Sequence, residues 1–217
     1  NRWLTRQYSF RLPDEVLRDN SLAFSGVFVD ELGGPSARPY QAAVYYRNVK
    51  FPTRDYHHDT DTKQWGRGVY VHWQRQFLHP TLRAMDAPSR EECTAQRPRS
   101  NTPLAALALL NDPSFVEAAR VFAARIIDEA TEATPDARVD FAVRQALSRD
   151  PDPFERQQLV ELSKRDLQRY RADPEAAEEL LDVGLAPRPD DIDPIELAAW
   201  TSVARAVLNL HEAITRN

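Results

Sequence analysis

Cysteine is almost absent: Cys93 is the only one in 217 residues. A single thiol excludes a disulfide within the chain and a cysteine-rich zinc site, and it excludes the Cys-x-x-Cys-His attachment of a c-type haem. Long apolar runs are missing too, with nothing near the roughly 18–20 residues of a membrane helix. The sequence does not begin with Met, and no basic stretch leads into an apolar core. It therefore reads as a fragment of a longer, multidomain protein, with any targeting signal outside it. Lysine is scarce as well, at three against 25 arginines. A base-composition bias explains that excess as well as recruitment of guanidinium for forked hydrogen bonds.

What is present is ordinary for a folded protein. Apolar residues make up 42% and charged residues 28%, enough for a sizeable core and against disorder throughout. The net charge of −5 is unevenly spread. Residues 1–100 carry 15 basic and 11 acidic side chains, whereas residues 101–217 carry 13 and 22. An acidic second half argues against nucleic-acid binding by the whole molecule.

Proline punctuates that second half. Thr102-Pro103, Asp112-Pro113, Thr134-Pro135, Asp152-Pro153, Asp173-Pro174 and Asp193-Pro194 each pair a capping side chain with the residue suited to the first helical position. Periodicity agrees. Phe115, Ala119, Phe122 and Ile126 form one stripe, and Val139, Ala142, Val143, Ala146 and Leu147 another. Ser114 with Glu117 has the spacing of a capping box. The segment Pro153 to Ala172 is more polar and reads as a surface helix. Gly184 is expected to end the helix begun at Pro174, and a last helix is expected from Pro194 to about Thr215, with Trp200 and His211 in the core.

The first hundred residues are less regular. Pro13-Asp14-Glu15 opens a helix that Gly26 stops, and Gly33-Gly34-Pro35-Ser36 marks a turn. Tyr40 to Thr62 reads as an irregular excursion. Val69 to Phe77 alternates well enough for a strand, with a helix as the alternative.

Several residues carry possible chemistry. Arg90, Arg97 and Arg99, with Asp86, Glu91 and Glu92, could hold an anion through forked guanidinium contacts. The plainer expectation is a polar clamp that pins an irregular loop onto the helices. Cys93 as a nucleophile would need a base such as His72 or His79; a small buried hydrophobe is the plainer reading. His57, His58, Asp59 and Asp61 offer metal-binding atoms without a known register, so a solvated loop is preferred and His57, His58 and Asp61 stay weak metal candidates. Gly33-Gly34 with Arg38 could present backbone N–H groups to an anion. Trp65, Tyr70, Trp73 and Phe77 could stack on a sugar or pack in a core.

Longer motifs add a resemblance. They include Asn1-Arg2-Trp3-Leu4, Gly33-Gly34-Pro35-Ser36, Arg38-Pro39-Tyr40-Gln41, Tyr70, Trp73, Arg75 and His79-Pro80. Asp86-Ala87-Pro88, Arg90-Glu91, Cys93, Arg97, Arg99 and Asn101-Thr102-Pro103-Leu104 continue the series. Leu109 to Pro113, Phe115 to Arg120, Ala198 to Thr201 and Leu208 to Leu210 complete it. Together they make the chain similar to the planctomycete-type domain of unknown function, the PSD family, at the C-terminus of secreted cytochrome c-domain proteins. It departs from that pattern at Ala105, where the family has Gln, and at His211 and Ala213, where it has Asp and Phe.

The resemblance implies export to the periplasm or cell surface, upstream cytochrome and uncharacterised domains as partners, and a link to polysaccharide use. A c-type haem is expected on a separate upstream module, with no cofactor in this chain. No catalytic residues come with the family.

The expected fold is mainly α, one domain over residues 1–217. Its loop-rich part, 1–100, packs on a C-terminal bundle of five or six helices in 101–217. The expected role is an accessory, interaction or ligand-binding module, more a binding part than an enzyme. The alternative is an extracytoplasmic enzyme acting on acidic or sulfated glycans, and a structural spacer is a third reading. Candidate ligand residues are Arg38, Arg75, His79, Asp86, Arg90, Cys93, Arg97 and Arg99. No nucleic acid and no membrane span are expected; an extracellular glycan is a possible ligand.

Overall fold

A computed structural model describes residues 9–42, 45, 55–74 and 77–216. Arg75 and the Asn1 to Leu4 motif lie outside the described residues. The fold is mainly α. All six Thr/Asp-Pro pairs start helices: α3 (Pro103–Asn111), α4 (Pro113–Glu129), α5 (Pro135–Leu147), α6 (Pro153–Ala172), α7 (Pro174–Leu181) and α8 (Pro194–Leu208). In each, the Thr or Asp side chain accepts from a free backbone N–H of the first turn. Asp152 and Glu155 complete a reciprocal capping box. Earlier come α1 (Asp14–Ser25), stopped by the left-handed Gly26, and the short α2 (Pro80–Ala84).

The core lies between α4 and α8, ringed by α5, α6 and α7. Ala118, Ala119 and Ala123 on α4 and Ala198, Ala199 and Ala204 on α8 are fully or almost fully buried, and residues this small let two helices approach closely. Phe122, Ile126, Val139, Val143, Val203 and Val207 fill the space around them. The polar α6 still buries Leu159, Val160 and Tyr170 against this core. A second cluster of Leu17, Met85, Leu109 and Phe115 joins α1 to α3 and α4.

Four expectations are corrected. Val69 to Phe77 contains no strand among its described residues: Gly68–Tyr70 is a 3-10 turn, and Val71 makes only an isolated bridge to Ala37. Ser114 and Glu117 form no capping box, because Asp112 caps α4 at Ser114 N and Glu117 turns into the core. Gly184 does not end α7, which is capped at Asp182. The last helix breaks at Asn209, whose side chain bonds back to Arg205 O at 2.8 Å. After the break come α9 (His211–Ile214) and a two-residue strand, β2 (Thr215–Arg216), paired antiparallel with β1 (Phe10–Arg11). His211 is consequently exposed, while Trp200 is core.

Candidate functional site

The arginine-rich run, residues 87–101, carries no helix or strand and lies across the start of α1. Asp86 anchors it in a left-handed backbone conformation, φ 63°. Its Oδ2 accepts from Arg11 Nη2 at 2.7 Å and from Ser100 N at 2.7 Å, and Ser100 Oγ donates to Oδ1 at 2.8 Å. Burial alone would raise the Asp86 pKa; the Ser100 and Arg11 hydrogen bonds outweigh it and hold the carboxyl below its ordinary value. Arg97 Nη1 meets both carboxylate oxygens of Glu15 at 2.9 Å. Arg90 lies over the Trp73 ring at 4.2 Å and Arg99 over Phe10 at 4.3 Å. These side chains tie the run to β1, α1 and the 68–74 segment.

The other candidates are dispersed. Cys93 is exposed, against the expectation of a buried hydrophobe, because the whole 89–99 stretch lies on the outside. Arg38 is exposed, and among the described residues it contributes its backbone: its N–H donates to Asp59 Oδ2 at 2.7 Å and its carbonyl accepts from Gln64 Nε2 at 3.1 Å. His57 and His58 are exposed, His58 beside the Tyr40 ring, and Asp61 caps a 3-10 turn while pairing with Lys63. Among the described residues, no three His, Cys, Asp or Glu side chains are placed to hold a metal ion. Of the aromatic group, Trp65 donates to Glu117, Tyr70 accepts from Gly33 N and Trp73 lies under Arg90.

His79 belongs to a buried polar group that the sequence did not announce. Its Nε2 lies 2.8 Å from Tyr40 O; a carbonyl only accepts, so Nε2 carries the proton. Burial favours the neutral ring and lowers the His79 pKa, and it outweighs the negative charge of Asp112, which pulls the pKa up. Asp112 accepts from Ser114 N at 2.9 Å and from the Thr81 hydroxyl. Asp14 faces the same crevice, whose volume of about 10 Å³ admits one water at most. Asp14 is buried with its Oδ1 unpartnered. Burial, with the negative charges of Glu15 and Asp112, raises its pKa to about 7 despite Arg18 and Arg11. Arg18, also buried, donates to the carbonyls of Gln64 and, at 2.6 Å, Gly66.

A second buried polar group centres on Glu117, fully enclosed on α4. Its Oε2 accepts from Tyr40 Oη and Trp65 Nε1, each at 3.1 Å. Its Oε1 accepts from Leu185 N and Ala186 N, each at 2.6 Å. A Cβ on Gly184 would collide with this carboxylate, and Gly184 has φ +95°, so glycine is required there. Arg120, one turn on, donates to Ala186 O at 2.6 Å. The signal available in the sequence was a Glu and an Arg three residues apart on an otherwise apolar stripe.

A family model described as PSD1, protein of unknown function (DUF1553), matches residues 1–163. The chain belongs to that family. The match ends within α6, so Gly184 to Ala186 and α8 lie beyond it. No curated protein and no solved structure matches the chain.

Proposed function

We propose that this chain is an accessory docking module of an exported, cytochrome c-linked multidomain protein. It packs against neighbouring domains of the same polypeptide at the periplasmic side or cell surface and leaves haem chemistry to them. The observation that carries this reading is the outer face of α3. Of its nine residues, PLAALALLN, only Ala105 and Leu109 are buried; Leu104 and Leu107 are 61% and 55% exposed. An apolar helix face left in water marks an interaction surface. In the preceding 87–101 run, Arg97 pairs with Glu15, Arg90 lies over Trp73 and Arg99 over Phe10.

The alternative is an extracytoplasmic enzyme acting on acidic or sulfated glycans through His79 and the carboxylates. The closed crevice beside His79 weighs against it, since a glycan needs an open, polar-lined cleft. The paired substitution Leu104→Asp with Leu107→Asp, made in the full-length polypeptide, tests docking. Small-angle scattering is expected to show this chain released from its neighbours, with circular dichroism unchanged. Scattering identical to the parent would contradict the docking role.

A further inference from the structure

A cavity of about 140 Å³ lies between the arginine-rich run and the start of α1. Arg11, Asp14, Met85, Asp86, Arg97 and Arg99 are among the residues lining it. Two of them carry buried polar atoms with no partner: Arg11 Nε, a donor, and Asp14 Oδ1, an acceptor. Asp14 is 4% exposed and the Arg11 side chain 9%. Leaving such an atom buried and unpaired is unfavourable. A hydroxyl satisfies both kinds at once, accepting from the guanidinium and donating to the carboxyl.

Arg97 and Arg99 add positive charge to the same lining. Arg11 is balanced by Asp86. Arg97 gives Nη1 to Glu15, and its Nε and Nη2 have no hydrogen-bond partner among the described residues. Arg99 rests on Phe10 and has no carboxylate partner among the described residues. An anion in this cavity meets one uncompensated guanidinium and the spare donors of another, the geometry that suits a carboxylate.

We propose that the cavity binds a small hydroxycarboxylate, with its carboxylate held by Arg97 and Arg99 and its hydroxyl between Arg11 Nε and Asp14 Oδ1. The volume is well below that of a drug-sized pocket, so the ligand is one small acid and not a polymer segment. The site is separate from the α3 face and does not depend on the docking role.

Met85 is the only methionine in the chain and lines the cavity, so its methyl resonance reports occupancy there. The experiment titrates the folded chain with glycerate, with propionate (no hydroxyl) and with glycerol (no carboxylate), at millimolar concentrations. Glycerate is expected to shift the Met85 methyl saturably and to bind at least about tenfold more tightly than either analogue, a difference of about 1.4 kcal/mol. Arg99→Gln, at an exposed position, is expected to weaken glycerate about tenfold while the chain stays folded by circular dichroism, and Arg99→Lys to recover part of the loss. Asp14→Ala is expected to erase the preference for glycerate over propionate. The proposal is overturned by no saturable shift with glycerate, by propionate binding equally well, or by Arg99→Gln binding like the parent.

Discussion

Asp14 ties the stability of the fold to pH. Its carboxyl is buried at the first turn of α1, and its pKa rises from 3.8 to about 7 on folding. The folded chain therefore holds this proton more tightly than the unfolded chain. The resulting stabilisation is complete below about pH 4 and is lost as pH rises to about 7. A shift of this size corresponds to roughly 4 kcal/mol across that window. Asp14→Asn removes the titration and is expected to match the parent near pH 4 and to melt at a higher temperature near pH 8. A pH-independent difference in melting temperature would contradict this assignment. Glu117 offers a second test at the same scale. Glu117→Ala strips the acceptor from two backbone N–H groups, Tyr40 and Trp65, and is expected to cost about 3–5 kcal/mol by denaturant titration. Gly184→Ala is expected to be destabilising too, through the left-handed backbone and the collision with Glu117. Neither role was legible in the sequence, because both are set by partners 52 to 77 positions away.

At the scale of elements, legibility follows how local the cause is. The six Thr/Asp-Pro pairs named their helix starts correctly because cap and first turn are neighbours in sequence. Asp152→Ala breaks a reciprocal cap and is expected to cost about 1 kcal/mol, read from the chemical denaturation midpoint. An unchanged midpoint would mean that the cap adds nothing to α6. The ends of helices were harder to read. Gly184 looked like a stop signal and is instead a clearance for a side chain from another helix. The break at Asn209 comes from a side chain competing for a backbone carbonyl, which an apolar pattern does not register. The all-apolar run of α3, PLAALALLN, does not mark which of its leucines are buried. Only the position of α3 at the margin of the bundle leaves Leu104 and Leu107 in water.

For the whole molecule, the first hundred residues are joined to one another and to the bundle by the apolar cluster of Leu17, Met85, Leu109 and Phe115 and by polar contacts between distant positions. Arg18 grips the 64–66 backbone, Glu117 receives Tyr40 and Trp65, and the Asp86 group ties the arginine-rich run to Arg11. Such contacts have no period, which is why the irregular part could be expected as a wrap but not traced. The candidate list shows the same limit: Asp86, Arg97 and Arg99 do meet at one cavity, while Arg38, Cys93, His57 and His58 lie apart from it. The apolar face of α3, left open by this wrap, carries the proposed role in a larger polypeptide. Hydroxyl-radical footprinting of Leu104 and Leu107, compared between the isolated chain and the full-length protein, tests that role most directly. The docking account predicts strong protection of both leucines in the full-length protein, with Phe154, 69% exposed at the start of α6, labelled equally in both. Equal labelling of Leu104 and Leu107 in the two samples would contradict it.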